Sequence, residues 1–96
     1  MLLKQQTSPS DTCAVILEPI LGEGGYVVPP KGYLKGVRDL CNKYGLMFIV
    51  DEVQSGFGRT GKYFAWQNFL SDEDAPDIIV MAKGLASGFP LSGVAW

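Results

Sequence analysis

Short apolar runs alternate with polar stretches rich in Gly and Pro along this chain. Cys13 to Leu17 (CAVIL), Leu46 to Val50 (LMFIV) and Ile78 to Ala82 (IIVMA) are each unbroken and contain β-branched residues. A run of that length bounded by turn residues suits a strand covered on both faces. A fourth run, LSGVAW, reaches Trp96. After Pro29 and Pro30, apolar residues recur at Leu34, Val37, Cys41 and Tyr44, and Gly45 follows. That spacing predicts an amphipathic helix of about three to four turns with a glycine stop. Residues 1–12 read as a polar connecting loop, and ILGEGGYVVPP and DEVQSGFGRTGK as Gly- and Pro-punctuated loops. Tyr63 to Leu70 reads as a short helix and SDEDAPD as a solvated turn.

Strand, helix, strand, helix, strand is the signature of an α/β layer with a mainly parallel sheet and flanking helices. Parallel strands need helices on both faces, and one convincing helix serves four strands. The expectation is a piece of a larger domain, truncated at both ends, with Met1 as an accidental start.

Composition narrows the function. With 47% hydrophobic and 19% charged residues, the 96-residue chain can bury a core. A net charge of -2 without a Lys/Arg cluster argues against nucleic acid and against an anionic membrane surface. A small molecule or another protein is the expected partner. The apolar runs are far shorter than the ~20 residues that span a bilayer. The start, MLLKQQTSPSDT, lacks the apolar stretch of a secretory leader. Cys13 and Cys41 lie in apolar segments, as small hydrophobes in a reducing interior. The absence of histidine removes Ser-His-Asp and Cys-His catalysis and His-ligated zinc from what this segment can build.

Three strands are each followed at once by an ionisable residue: Glu18, Asp51 and Lys83. In an open parallel sheet all three lie along the carboxyl edge, where such sheets bind ligands. Two plainer readings stand beside this one: strands must end in something polar, and Asp51 and Lys83 could form a structural ion pair, although desolvation makes such pairs poor stabilisers. A lysine at a dry strand end suits imine formation, since its neutral amine attacks a carbonyl and burial favours that form. A carboxylate that keeps a pyridine nitrogen protonated makes pyridoxal phosphate (PLP) an electron sink. Gly56 to Gly61 also fits GxGxxG, and Gly56 to Lys62 most of a phosphate loop. Tyr63 stands where that loop wants Ser or Thr, and five residues separate the glycines from the strand end.

The blocks AVILEPILGEGG, LCNKYGLMFIVDEVQSGFGRTGKYFA and PDIIVMAKGLASGFPLSGVA occur in the order of a known family. Residues 13–96 resemble the class-III (omega family) aminotransferases of PLP fold type I, the group of 4-aminobutyrate, ornithine and alanine-glyoxylate aminotransferases. The resemblance implies a partial PLP-binding large domain over 13–96. It also implies a transaminase that moves an amino group from an amine or amino acid to a 2-oxo acid. Lys83 in MAKG looks like the Schiff-base lysine and proton shuttle, and Asp51 in VDEVQ like the partner of the pyridine nitrogen. Val53 would pack on the ring face and Gln54 reach the phenolic oxygen. Glu23 in GEGG is similar to a gate glutamate that pairs with an arginine from a later part of the chain. Glu18 and the GFGRTG loop read as structural, with Arg59 at a subunit contact of a homodimer. The segment between Ala65 and Pro76 looks longer than usual. A mutase or decarboxylase on the same scaffold, or a non-catalytic fragment, are the alternatives. The family's phosphate turn, ring-stacking aromatic, partner-subunit threonine and C-terminal domain have no counterparts here. The protein is expected inside the cell, in the cytoplasm or a mitochondrion.

Overall fold

A computed structural model describes residues 6–96. The first five residues of the expected N-terminal loop lie outside them. The fold is α/β: one sheet of four strands in the order β1-β2-β3-β4, with β1 at Ala14–Leu17, β2 at Met47–Asp51, β3 at Ile78–Met81 and β4 at Gly93–Ala95. β1, β2 and β3 are parallel, and β4 runs antiparallel to β3. The mainly parallel sheet is as the apolar runs predict.

Tyr33–Tyr44 forms the helix, α1, closed by Gly45 in the left-handed region (φ 67°), whose N–H donates to the Cys41 carbonyl. Its apolar face carries Leu34 and Cys41, both buried, into a cluster with Leu46, Phe48, Val50, Trp66 and Leu70. In β2 the burial alternates: Phe48 and Val50 have no exposed surface, whereas Met47 is exposed. One sheet face is covered by α1 and the Trp66 segment. The other face is open, with Ile16 exposed on β1. Strands covered on both faces are therefore not what the described residues show, because only one helix is present to cover them.

Other expectations change as well. β2 extends one residue further, so Asp51 closes the strand instead of following it. Cys13 lies before β1 and is exposed, while its carbonyl accepts from the Met47 amide; Cys41 alone is a buried thiol. Tyr63 to Leu70 contains a 3-10 turn at Ala65–Asn68 and no α-helix. Its amides bond three residues back, Gln67 to Phe64 and Phe69 to Trp66, and aromatic side chains that lose rotamer freedom in a helix fill the segment. The Gly- and Pro-rich stretch after β1 contains a short antiparallel bridge between Leu21 and Val27. Within the N-terminal loop, Pro9–Asp11 is a 3-10 turn capped by the Ser8 hydroxyl. No helix among the described residues is long and apolar enough to cross a membrane.

The acidic SDEDAPD stretch is pinned, not merely solvated. Lys35 of α1 reaches Asp39 at 2.7 Å and Asp74 at 3.1 Å. Arg38 reaches Asp77 at 3.0 Å and lies over the Phe48 ring, 5.6 Å from its centroid. Asp77 Oδ2 also accepts from the Phe48 amide at 2.7 Å, joining helix, β2 and the approach to β3 at one carboxylate. Burial pushes this carboxyl upward, but the Phe48 amide and the Arg38 guanidinium outweigh it and hold Asp77 below the usual carboxylate range.

Asp77→Ala should therefore cost about 1–3 kcal/mol at neutral pH, since it strands the Phe48 amide and the Arg38 cation. The folded-state value lies below the unfolded one, so this contribution is present above the ordinary carboxylate range and is lost as pH falls through the folded value. Urea unfolding of both proteins at several pH values should show the difference shrinking in acid. A difference independent of pH would place the loss in packing and not in the charge.

Candidate functional site

The parallel register builds the site. Leu17 pairs with Val50, and Asp51 with Val80, so the chain leaves β1, β2 and β3 at one sheet edge. Glu18, Asp51 and Lys83 share that edge, with Lys83 two residues past the end of β3. Among the described residues Asp51 and Lys83 form no ion pair with each other; the ion pairs are Lys35–Asp39, Lys35–Asp74 and Arg38–Asp77.

Consecutive side chains of a strand point to opposite faces, and this separates the two acids that end β2. Asp51 is half-buried, and its Oδ1 accepts from the Val53 amide at 3.0 Å. Its other oxygen has no hydrogen-bond partner among the described residues. Glu52 turns to the covered face and has no exposed surface. One of its oxygens accepts from the Ser55 hydroxyl and the other from the Trp66 amide at 3.3 Å. Burial pushes the Glu52 carboxyl above its ordinary value, against those bonds, and the neighbouring Asp51 charge adds to the push.

The loop after β1 folds back onto this turn. Glu18 Oε2 accepts from the Gly22 amide at 2.6 Å, and Gly25 and Tyr26 donate to the Gly22 carbonyl. Gln54 lies against Gly22: a Cβ there would be 1.7 Å from Gln54 Oε1, so any side chain at 22 would displace the Gln54 amide. Gln54 donates to Glu23 Oε1 across 3.5 Å. The two candidate residues Glu23 and Gln54, 31 apart in sequence, are thus neighbours.

Lys83 opens a 3-10 turn, Lys83–Ala86, with φ 39° in the left-handed region. A non-glycine residue there carries strain of about 1–3 kcal/mol that its surroundings must impose. The GFGRTG loop packs against the next residue: a Cβ on Gly84 would lie 3.3 Å from Phe57 Cβ. That loop is closed by bonds from Gly58 to the Tyr63 carbonyl and from Gly61 to the Gly58 carbonyl, and Phe57, Tyr63 and Phe64 pack edge to face. Lys83 lines a cavity of about 330 Å³ with Tyr26, Gln54, Arg59 and Gly84.

The geometry thus brings Gln54 to Lys83 and Glu23 to Gln54. Neither Asp51 nor Val53 lines that cavity or the one of about 660 Å³ that Lys83 also lines with Arg59 and Phe89; Asp51 lines another, of about 560 Å³, with Glu18, Leu21 and Tyr33. Lys83 is exposed and not dry as its strand-end position suggests, because no described residue covers its cavity. Arg59 enters the cavity wall from a loop that reads as structural. Sequence reasoning missed Glu52, and the signal that could have found it is the continuing alternation from Phe48 through Val50.

A family model described as Aminotransferase class-III matches residues 2–96. The chain is 55% identical over 86 residues to an acetylornithine aminotransferase of Corynebacterium efficiens, covering 90% of this chain and 21% of that protein. It is 54% identical over 88 residues to an ornithine aminotransferase of Oceanobacillus iheyensis, covering 88% and 21%. Among solved structures, an (S)-enantioselective omega-transaminase from Thermomicrobium roseum superposes with a TM-score of 0.87 at 43% identity, over 96% of this chain and 20% of that one. A taurine:2-oxoglutarate aminotransferase from Bifidobacterium kashiwanohense, in complex with PLP and glutamate, does so with 0.87 at 49% identity, over 96% and 20%. The chain spans about a fifth of the length of these relatives. With a matching family model over nearly its whole length, and with the parallel sheet of its solved relatives, this chain belongs to the class-III aminotransferases.

Proposed function

We propose that the complete protein carrying this chain is a PLP-dependent transaminase, of which residues 13–96 form part of the cofactor-binding domain. The observation that carries this reading is the shared edge at which two residues that form no ion pair among the described residues, the carboxylate Asp51 and the amine Lys83, leave adjacent parallel strands. The chemistry of that set fits the cofactor: an amine for a carbonyl, a carboxylate for a pyridine nitrogen and the Gln54 amide for a phenolic oxygen. When bound, PLP supplies a carbonyl carbon to receive the amino group and a ring that draws electrons from the substrate Cα.

The roles of the chain's own groups follow. Lys83 Nζ would hold the cofactor covalently and carry a proton to and from the substrate Cα. Asp51 would hold a proton on the ring nitrogen, its Oδ1 already oriented by the Val53 amide. Gln54 would donate to the phenolic oxygen, and Val53 would lie against the ring. Glu23 would act as a gate, pairing with an arginine from elsewhere in the protein while an ω-amino donor reacts and releasing it to a substrate carboxylate. The flanking Gly22, Gly24 and Gly25 give that segment backbone freedom. Relatives named for ornithine, acetylornithine and 4-aminobutyrate support a donor whose reacting amine lies far from its α-carbon or lacks an α-carboxylate, with a 2-oxo acid as acceptor. The same proposal takes the protein to be a homodimer inside the cell, in the cytoplasm or a mitochondrion, acting on small molecules. Exposed Phe89, which lines a cavity with Lys83 and Arg59, supports the site's being covered by further chain or by a second copy.

Borohydride reduction and peptide mapping of the complete protein should find the pyridoxyl group on Lys83. Lys83→Ala should lose both this label and turnover. Asp51→Ala should keep the label but turn over slower by about two orders of magnitude or more, having lost the charge that holds the ring proton. A label on Lys31, Lys35 or Lys62 would sink the assignment.

For the gate, single-turnover measurement of the two half-reactions decides. Glu23→Ala should slow the reaction with an ω-amino donor about tenfold or more, while the reaction with an α-amino or 2-oxo acid is spared or improved, its carboxylate finding the arginine unmasked. Equal effects on both reject the gate.

A further inference from the structure

Glu52 makes hydrogen bonds to three parts of the chain and touches no solvent. Its amide donates to the Val80 carbonyl at 2.9 Å, prolonging the β2–β3 pairing, and its carbonyl accepts from the Gly56 amide at 3.0 Å, closing the turn. Its carboxyl takes the Ser55 hydroxyl on one oxygen and the Trp66 amide on the other. A Cβ on Gly56 would come within 2.9 Å of the Glu52 carbonyl, so the turn closes only around glycine. Between the anchors at 52 and at 55 and 56 lie Val53 and Gln54, and Asp51 stands immediately before them.

We infer that Glu52 is the positioning residue of this site: its carboxyl clamps the Asp51-to-Gly56 turn onto the Ala65–Asn68 turn and thereby fixes where Asp51, Val53 and Gln54 are presented. Its role toward the cofactor rests on the reading of Asp51 as the ring partner. Glu52 cannot meet a ligand itself, since it has no exposed surface. Nor is it a good core filler, because burying a polar group is unfavourable unless its bonds are made. What it supplies is reach with two acceptors at the end. Burial pushes this carboxyl above its ordinary value, against the bonds that Ser55 and Trp66 make to it.

Shape and charge make opposite predictions for two substitutions. Glu52→Gln keeps the reach: its oxygen can accept from Trp66, and its amide can donate to Ser55 Oγ, a hydroxyl that also accepts. Glu52→Asp keeps the charge but is one methylene shorter. The complete protein carrying each variant, with Glu52→Ala and the milder Ser55→Ala, should be measured in two ways. Amide hydrogen exchange without cofactor reads the turn through Val53, which donates to Asp51, and Gly56, which donates to Glu52. PLP dissociation, followed by absorbance, reads the site. Glu52→Gln should stay within about threefold of the parent in both, whereas Glu52→Asp and Glu52→Ala should raise exchange and PLP dissociation about ten- to a hundredfold, and Ser55→Ala by about five- to tenfold. If either large-effect variant folds less stably, Ser55→Ala still reads the clamp. Unchanged exchange at Val53 and Gly56 in Glu52→Asp and Ser55→Ala overturns the inference even where melting temperatures fall, and so does failure of Glu52→Gln with success of Glu52→Asp. A parent protein that binds no PLP overturns the proposed function instead, and the exchange data alone then decide the clamp.

Discussion

The hydrogen bond from the Glu52 amide to the Val80 carbonyl ends the pairing of β2 with β3, and the faces of the site depend on it. The side-chain period of a strand is two, so a slip of one residue would exchange the faces of every residue on β2. Phe48 and Val50 are both fully buried on the face covered by α1, and Glu52 continues their alternation. Asp51 is thereby sent to the other side. The same apolar burial that stabilises the sheet therefore decides which of two adjacent acids is available to chemistry. Replacing Phe48 by Ala would remove about 3–5 kcal/mol of packing and weaken the specification of that register.

The division between the acids has a cost, which the surroundings offset. Glu52 loses hydration on burial, and Ser55, Trp66 and Ala65 return part of it through hydrogen bonds. Lys83 is the counterpart after β3. Its left-handed backbone is unfavourable in isolation, and Phe57, which lies against the neighbouring Gly84, is left-handed as well at φ 59°. Phe57 packs edge to face on Tyr63 and Phe64, which ties this left-handed residue into an aromatic cluster.

Much of the fold is legible in the sequence because each determinant is local. CAVIL, LMFIV and IIVMA are unbroken runs between turn residues, and the three- and four-residue spacing from Leu34 to Tyr44 admits one reading. That Asp51 and Lys83 share an edge follows from parallel strands, each of which ends at or just before one of them. Features that depend on distant partners are not legible. An acid after a strand reads as solvent-facing, and the burial of Glu52 rests on Trp66, 14 residues away. In the segment Tyr63 to Leu70, Phe64 packs on Phe57, a contact outside the segment, and Cys13 is exposed because it lies before the first residue of the edge strand β1. The acidic stretch looks solvated because its cations, Lys35 and Arg38, belong to a helix, each 39 residues before the carboxylate it binds there.

The approach of the two edge loops shows why a glycine, and not a charged residue, couples them. Gln54 occupies the volume that any side chain at position 22 would need, so its amide lies directly against the backbone of the GEGG segment. Glu18 also holds that backbone, accepting from the Gly22 amide. Glu23 follows immediately and reaches the same Gln54. A shift of the GEGG segment therefore changes the surroundings of Gln54, and a shift of Gln54 withdraws a donor from Glu23. Loops that leave neighbouring parallel strands have no backbone pairing to coordinate them. Here the coordination is supplied by one side-chain amide seated on bare backbone, which links the first loop to the turn that Glu52 anchors.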